Sequence, residues 1–363
     1  MQLTRQKKAT ALVGLDIEAG SVAATEVKLN GSAQLGATAI EPLAPGAFHE
    51  GEVADADSLA EALKSLFSKH KLSKRVRLGI GNQGVVVRTV RLPAIEDPKE
   101  LDAAVRFQAQ EQMPMPLDQA VLEHQVVGGV PAEEGSPPQI DVVVVAARRE
   151  MISSFLQPLR HAGLDPVEVD LSAFGMIRAL ADTLPQPESD AAEGIRPQAE
   201  AVLYCNVGEI ANLAVARGRA CLFTRVSHAG LGAIAARLAS SRAMSLDHAS
   251  QWLAHVGLEQ PLEGVEGDPE IVAEAREALE LGIVGLVDEL RLSLDYYRAQ
   301  EGAIPIERVV LCGPGSAIAG FAVRMEVGLG GLPISRARPP ALGQLDERSA
   351  ARLTLPYGLA LEH

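Results

Sequence analysis

The order of strand and helix signals along the chain is the sequence feature that most restricts its fold. Each half of the chain opens with three short strand signals separated by turn signals, and helical periodicity and further strands follow. The opening strand signals cover residues 11–17, 22–29, 35–40, 201–205, 211–217 and 220–226. An acidic, proline-containing stretch at residues 182–200 separates the halves and indicates a linker. The pattern predicts a duplicated α/β fold with a cleft between its halves.

Composition excludes some classes of function. The chain has 363 residues, of which 47% are hydrophobic and 22% charged, and its formal net charge at pH 7 is −14. This composition is that of a globular protein with a substantial core. Nucleic-acid binding needs clustered Lys and Arg, and we interpret the one short basic group, Arg5, Lys7 and Lys8, as a solvated chain end. We therefore expect no nucleic-acid partner.

Cysteine spacing and hydropathy bear on the compartment. Cys205, Cys221 and Cys312 have no metal-site or redox spacing, and we interpret them as buried thiols in a reducing compartment. No signal-peptide pattern and no run of about 18 apolar residues is present. We expect a cytoplasmic protein with no direct membrane insertion.

One glycine motif is misleading. Gly79, Gly81 and Gly84 have the spacing G-x-G-x-x-G after a strand. A dinucleotide site needs a helix to follow, because the pyrophosphate binds at the helix N-terminus. Val85 to Val90 has a strand signal instead, so we interpret the glycines as a hairpin turn. The sequence contains no G-x-x-x-x-G-K-[ST] pattern, which excludes a P-loop.

Three other segments follow strands directly and contain glycine. They are Asp16 to Ser21, Asn206 to Glu209, and Cys312 to Ser316. A carboxylate at a strand end can lie near a metal ion while turn N–H groups face a phosphate, and glycine lets a ligand approach the backbone. Each segment alone also fits an ordinary turn. Their order along the chain matches the phosphate and adenosine loops of actin-fold ATPases.

Longer segments carry a family resemblance. They are Val13 to Val27, Glu111 to Val127, Val142 to Leu180, Leu286 to Gln300, and Val309 to Phe321. Through them the chain resembles the PilM family of actin-like type IV pilus assembly proteins and, more distantly, the cell-division protein FtsA. The resemblance covers nearly the whole chain.

The resemblance implies an actin-like ATPase fold of two domains, each split into subdomains, with an FtsA/PilM-type insertion. The implied subdomains are 1A (1–90 with 163–200 and about 335–360), the insertion 1C (91–162), 2A (201–230 and 300–334) and 2B (231–299).

The resemblance also implies that ATP and Mg²⁺ bind in the cleft. Asp16 would contact the metal ion. The implied nucleotide-binding residues are Gly20, Ser21, Asn206, Gly208, Gly313, Gly315 and Ser316.

A protein partner is implied as well: the short N-terminal tail of PilN, an inner-membrane protein, held between the first subdomain and the insertion. We expect Val85, Val87, Met113 and Met115 to contact this peptide, because an extended peptide binds through backbone pairing and apolar pockets. Pilus motor ATPases are further expected partners. The chain would then lie at the inner face of the membrane through its partners.

Departures from the family pattern leave the chemistry open. The family usually has glycine at Glu18, lysine at Ala23 and aspartate at Asn206. A carboxylate at Glu18 repels a phosphate, and Asn206 cannot act as a base. We expect ATP binding with slow or absent hydrolysis. One alternative is a sugar-kinase-like phosphotransferase, with Asp16 or Asp170 as its carboxylate; another is a scaffold that binds no nucleotide.

Overall fold

The structure is a computed structural model that describes residues 10–29, 32–130, 137–184, 200–300 and 302–362. The basic group at Arg5 to Lys8, the turn candidate Asn30-Gly31 and most of the linker at 182–200 lie outside the described residues.

The described residues form groups of strands separated by one or more helices. The strands are β1 (Thr10–Glu18), β2 (Ser21–Leu29), β3 (Ala33–Pro42), β4 (Phe48–His49), β5 (Glu52–Val53), β6 (Arg75–Ile80), β7 (Val85–Pro93), β8 (Ala120–Val130), β9 (Gln139–Arg148), β10 (Asp165–Leu171), β11 (Ala201–Val207), β12 (Ala211–Arg217), β13 (Ala220–Ser227), β14 (Ile306–Cys312) and β15 (Ile334–Arg336). The helices are α1 (Ala56–His70), α2 (Pro98–Gln112), α3 (Arg149–His161), α4 (Ser172–Leu180), α5 (Leu231–Arg242), α6 (Leu246–Val256), α7 (Pro269–Arg298), α8 (Phe321–Gly328) and α9 (Glu347–Ala360).

Each half contains a five-stranded sheet with the same strand order. The first sheet runs β3-β2-β1-β6-β10 and the second β13-β12-β11-β14-β15. In both sheets the first three strands are antiparallel, and the last two join them in parallel. The predicted duplication is confirmed at the level of strand order.

The helices cover these sheets in layers. One face of the first sheet packs against α1 and α3, and one face of the second packs against α5, α6 and α7. Side chains alternate along β11: Leu203 and Cys205 face that helical layer, whereas Val202 and Tyr204 face α4 and α9. Because α9 also packs against the first sheet, the α4–α9 pair forms the layer between the two halves.

Two glycines permit the close packing of α9. A Cβ atom added at Gly14 in β1 would lie 1.9 Å from the carbonyl oxygen of Pro356. A Cβ atom added at Gly358 would lie 1.8 Å from the carbonyl oxygen of Gly175 in α4. No side chain fits at either position, so glycine sets how closely α9 approaches both neighbours.

A third, smaller unit lies between β6 and β10 in the chain. Its three strands have the order β7-β9-β8, and α2 packs against them around a core that includes Val90, Val105 and Val144. Asp97 caps α2 by accepting hydrogen bonds from the backbone N–H groups of Lys99 and Glu100. The bounds of the four subdomains stay a prediction.

The interpretation of Gly81 to Gly84 as a hairpin turn is wrong. A strand does follow, as expected, but β6 and β7 belong to different sheets. The Asn82 side chain accepts a hydrogen bond from the backbone N–H of Gly84 at 2.6 Å and donates one to the carbonyl oxygen of Gly51 at 2.8 Å. These bonds redirect the chain from one sheet to the next. Among the helices described, none combines the length and apolar character needed to cross a membrane.

Candidate functional site

The three glycine-containing segments meet between the two halves. We call them the first loop (residues 16–21), the second loop (206–209) and the third loop (312–316). A Cβ atom added at Gly208 would lie 2.0 Å from Glu18 Oε1, and one added at Gly313 would lie 2.4 Å from Asn206 Oδ1. The segments that the sequence singled out are therefore neighbours in the fold.

Asp16, the expected metal ligand, is bound by a side chain that the sequence reasoning missed. It is only 4% exposed, and Arg352 of α9 donates from Nη1 to Asp16 Oδ2 at 2.6 Å and from Nη2 to the Asp16 carbonyl oxygen at 3.2 Å. The Ser172 hydroxyl donates to Asp16 Oδ1 at 3.4 Å. Burial raises the pKa of Asp16, and the charge of Arg352 opposes that rise. Both carboxylate oxygens thus have partners within the chain.

The same guanidinium binds the turn of the first loop. Arg352 Nε donates to Ser21 Oγ at 3.0 Å, and Nη2 donates to the Ser21 carbonyl oxygen at 3.0 Å. Gly20, in contrast, lies exposed at the turn, and a Cβ atom added there would have no neighbour within 4 Å. Of the two nucleotide-binding residues predicted in this loop, Gly20 is exposed to solvent, whereas Ser21 is hydrogen-bonded to Arg352.

Two carboxylates lie between the first and second loops. Glu18 Oε2 lies 3.4 Å from Arg352 Nε. Burial raises the pKa of Glu18 to about 7. The positive charge of Arg352 opposes this rise, and the negative charges of Asp16 and Glu209 add to it. Glu209 accepts hydrogen bonds from the backbone N–H groups of Ala19 at 2.8 Å and Glu50 at 3.1 Å. The Glu209 carboxylate therefore occupies one backbone donor of the first loop and one of the segment between β4 and β5.

Residues of the third loop pack on β11. Gly313 has a φ of +78°, a conformation that favours glycine, and the Cys312 thiol donates to Asn206 Oδ1 at 3.7 Å. A Cβ atom added at Gly315 would lie 2.5 Å from Val207. The Ser316 hydroxyl donates to the Gly313 carbonyl oxygen at 2.7 Å. In this structure these glycines permit contact between protein segments.

The small cavity between the first and second loops has no room for a nucleotide phosphate with its metal ion as its residues are arranged. The cavity lined by Asp16, Glu18, Asn206 and Glu209 has a volume of about 30 Å³, which is room for about two water molecules, whereas small-molecule pockets measure roughly 300 Å³ or more. A metal ion at Asp16 would have to displace the buried guanidinium of Arg352. Within the described residues, no three His, Cys, Asp or Glu side chains are grouped so that they could hold a metal ion.

The carboxylates considered for phosphoryl transfer are both paired. Asp170 is buried and forms an ion pair with Arg178, and it accepts a hydrogen bond from the backbone N–H of Leu171 at 2.7 Å. Asp16 is held by Arg352 in the same way. A general base must be able to reach a substrate hydroxyl, so this geometry does not favour the sugar-kinase alternative.

Val85 and Val87 lie at a sheet edge that borders a cavity. Both belong to β7, an edge strand of the three-stranded sheet, and both line a cavity of about 200 Å³. Its opposite wall is formed by residues 224–226 of β13, which is itself an edge strand. The two valines are half-buried, so they present apolar side chains to solvent beside the edge of β7.

The two methionines lie elsewhere. Met113 is 7% exposed and belongs to the core formed by α2, β7 and β9, and the half-buried Met115 packs against the same core. Val85 packs against the core of the first half instead. The structure therefore does not bring Met113 and Met115 together with Val85 and Val87 in one groove.

Arg352 and Glu209 were not predicted. Arg352 lies 336 positions from Asp16 along the chain, and its only sequence signal is a charged residue within the apolar run from Ala350 to Leu355. Glu209 stands directly after Gly208 of the second loop. Its role depends on the contact with the Ala19 N–H of the first loop, which no local sequence pattern indicates.

A family model and one solved structure point to the same family, and two further structures share the fold. The family model described as type IV pilus assembly protein PilM matches residues 14–331. The chain is similar to the structure of a PilM-PilN type IV pilus biogenesis complex, with 26% identity, a TM-score of 0.74, and coverage of 96% of this chain and 97% of that one. The ethanolamine utilization protein EutJ from Carboxydothermus hydrogenoformans is 14% identical, with a TM-score of 0.53 and coverage of 98% and 91%. A nucleotide-free diol dehydratase-reactivating factor is 9% identical, with a TM-score of 0.50 and coverage of 96% and 98%.

Proposed function

Because the chain belongs to the PilM family of type IV pilus assembly proteins, we propose that it is a cytoplasmic scaffold which binds the N-terminal tail of a PilN-type inner-membrane protein. Its fold is the actin-like fold of that family. The similar structure that contains a PilM-PilN complex supports the choice of partner. Binding to such a tail would hold the chain at the inner face of the membrane.

The free edge of β7 is the observation that carries this proposal. Within the described residues β7 pairs only with β9, so the backbone groups of its other edge are not used by a strand. An extended peptide pairs with such an edge, and pockets for alternate side chains supply specificity. Val85 and Val87 provide apolar surface at this edge. The tail would add a strand beside β7 and place apolar side chains against these valines.

ATP and Mg²⁺ are not part of this proposal. Their binding at the three loops stays a prediction from the resemblance, and the contacts of Arg352, Glu18 and Glu209 favour the alternative of a scaffold without nucleotide. A link to pilus motor ATPases also stays a prediction from the family resemblance.

A peptide titration tests the proposal. A labelled peptide with the sequence of the PilN-type tail is titrated against the wild type and against Val87→Asp. A carboxylate beside the bound peptide would have to be desolvated, so we expect the affinity to fall about tenfold or more. Equal affinity of the two proteins, or no binding to the wild type, would contradict the proposal.

A matched control separates binding from folding. Val126 is 45% exposed on β8, at the opposite edge of the same sheet. Val126→Asp introduces the same charge there and is expected to leave the affinity unchanged. Thermal unfolding of both variants shows that they are folded. Met113→Asp is unsuitable because Met113 belongs to the core around α2.

A further inference from the structure

Three charged side chains meet between the first and second loops and bind one another or the nearby backbone. A phosphate needs backbone N–H donors and a compensating cation, and a buried carboxylate beside it needs a cation as well. The residues concerned are Glu18, Glu209 and Arg352, and together with Asp16 we call them the cleft cluster.

Glu209 satisfies the donors. Its two carboxylate oxygens accept from the N–H groups of Ala19, in the first loop, and Glu50, in the segment between β4 and β5. Both donors belong to the first half of the chain, whereas Glu209 belongs to the second. A carboxylate is an anionic acceptor like a phosphate oxygen, so one side chain connects the two halves through these two donors.

Arg352 supplies the cation. Its guanidinium binds Asp16 Oδ2, the carbonyl oxygens of Asp16 and Ser21, and the Ser21 hydroxyl. The side chain is only 8% exposed. A planar guanidinium with several fixed donors can satisfy this many acceptors, which a smaller cation could do only with added water.

Glu18 fills the remaining space. It contacts Arg352 on one side, and on the other its Oε1 lies so close to Gly208 that a Cβ atom there would be 2.0 Å away. Arg352 therefore orients Glu18 of the first half against the second loop. The contact requires glycine at position 208 and a long acidic side chain at position 18.

We propose that Glu18, Glu209 and Arg352 replace a nucleotide phosphate and its metal ion, and that they hold the two halves closed independently of nucleotide. This closed state needs no ligand to satisfy its charges. The proposal concerns the cleft alone and does not depend on the peptide partner.

Hydrogen–deuterium exchange of the full chain tests the proposal. In the wild type, Mg·ATP at about 1 mM is expected to leave the exchange of the Ala19 and Glu50 amides unchanged and to move the thermal unfolding temperature by less than about 1 °C. Glu209→Ala removes both acceptors and is expected to raise exchange at these two amides about tenfold or more.

Two further variants keep the test decisive. Glu50→Gln leaves the Glu50 backbone N–H and Glu209 in place, and both amides should stay protected as in the wild type. Glu209→Gln keeps the size of the side chain and loses its charge, and it should raise exchange less than Glu209→Ala does. If Glu209→Ala does not fold, amide exchange at Ala19 and Glu50 is compared between Glu209→Gln and Glu50→Gln instead.

The contradicting results are distinct. Protection of the Ala19 amide by Mg·ATP in the wild type, with a rise of about 3 °C or more in the unfolding temperature, would show that the cleft accepts nucleotide. Unchanged exchange at Ala19 and Glu50 in the Glu209 variants would show that the carboxylate does not close the cleft. Either result overturns the proposal.

Discussion

Arg352 determines which charges the cleft can hold. Its guanidinium, brought in by α9, lies between Asp16 and Glu18 and binds the backbone of the first loop. Without it two carboxylates would share a buried site with no cation, and burial of unpaired charge is among the costliest arrangements in a protein. The charge balance of the cleft therefore depends on the packing of α9, which carries Arg352.

Replacing Arg352 should destabilise the fold strongly. We expect Arg352→Met to lower the free energy of unfolding by about 3–5 kcal/mol, because it leaves Asp16 and Glu18 without their partner. Urea unfolding followed by circular dichroism measures the change. Arg348→Met is the matched control, since Arg348 is exposed on the same helix and its replacement should cost less than about 0.5 kcal/mol. Similar losses for the two variants would contradict the role of Arg352.

The cysteines should be unreactive in the folded protein. Burial raises the pKa of Cys205 and of Cys221 to about 12 and holds the pKa of Cys312 well above its ordinary value. The reactive species is the thiolate, so between about pH 7 and 9 a thiol reagent such as DTNB should label the native chain very slowly and show little dependence on pH. All three thiols should react once urea unfolds the protein. Rapid labelling of the native chain would contradict their burial.

The cleft residues illustrate what sequence can predict at this scale. Asp16, Glu18 and Asn206 stand out because they lie at strand ends and close to glycines, and the structure does place their loops together. Arg352 and Glu209 are defined by contacts between segments that lie far apart in the chain. Local patterns carry no information on such pairs, so the partner of Asp16 could not be predicted.

At the scale of elements, the crossing of α9 and α4 depends on backbone contact. Gly358 of α9 lies against the carbonyl oxygen of Gly175, with no room for a Cβ atom. Gly14 of β1 has the same relation to the carbonyl oxygen of Pro356. Because α4 and α9 form the layer between the first and second sheets, their close approach sets the distance between the two halves.

A pair of glycine variants tests this packing. Alanine is the better helix former, by about 1 kcal/mol, yet Gly358→Ala should lower the free energy of unfolding by about 2 kcal/mol or more because the methyl group overlaps Gly175. Gly285 is exposed in α7 with no atom within 4 Å of an added Cβ, so Gly285→Ala should be neutral or stabilising. Equal effects of the two changes in urea unfolding would contradict the close approach.

Apolar strands bounded by turn residues were predictable, whereas the elements that they pair with were not. The strands at 201–205, 211–217 and 220–226 fall within β11, β12 and β13, because apolar runs bounded by turn residues are a local signal. The segment from Leu353 to Ala360, which reads as a short strand or a helix, belongs to α9. Nearly all of its residues are buried, so it lacks the polar stripe that identifies a surface helix.

At the scale of the whole molecule, two halves of equal strand order enclose a cleft and carry a third sheet at one side. The duplication follows from the meander that opens each half, and it was visible in the sequence. The sequence did not indicate that β7 belongs to a separate sheet. Because β7 is an edge strand of that sheet, one of its edges has no partner strand among the described residues. Membership of the PilM family and the free edge together support a scaffold that receives a peptide.

The most direct test of this account is hydrogen–deuterium exchange with and without the tail peptide of a PilN-type protein. We expect a saturating peptide to slow amide exchange in β7, from Val85 to Leu92, and to leave exchange in β8 unchanged, because β8 forms the opposite edge of the same sheet. Val87→Asp should remove the protection at β7. Protection confined to β8 or to the helices of the second half, with no change at β7, would contradict the proposed site.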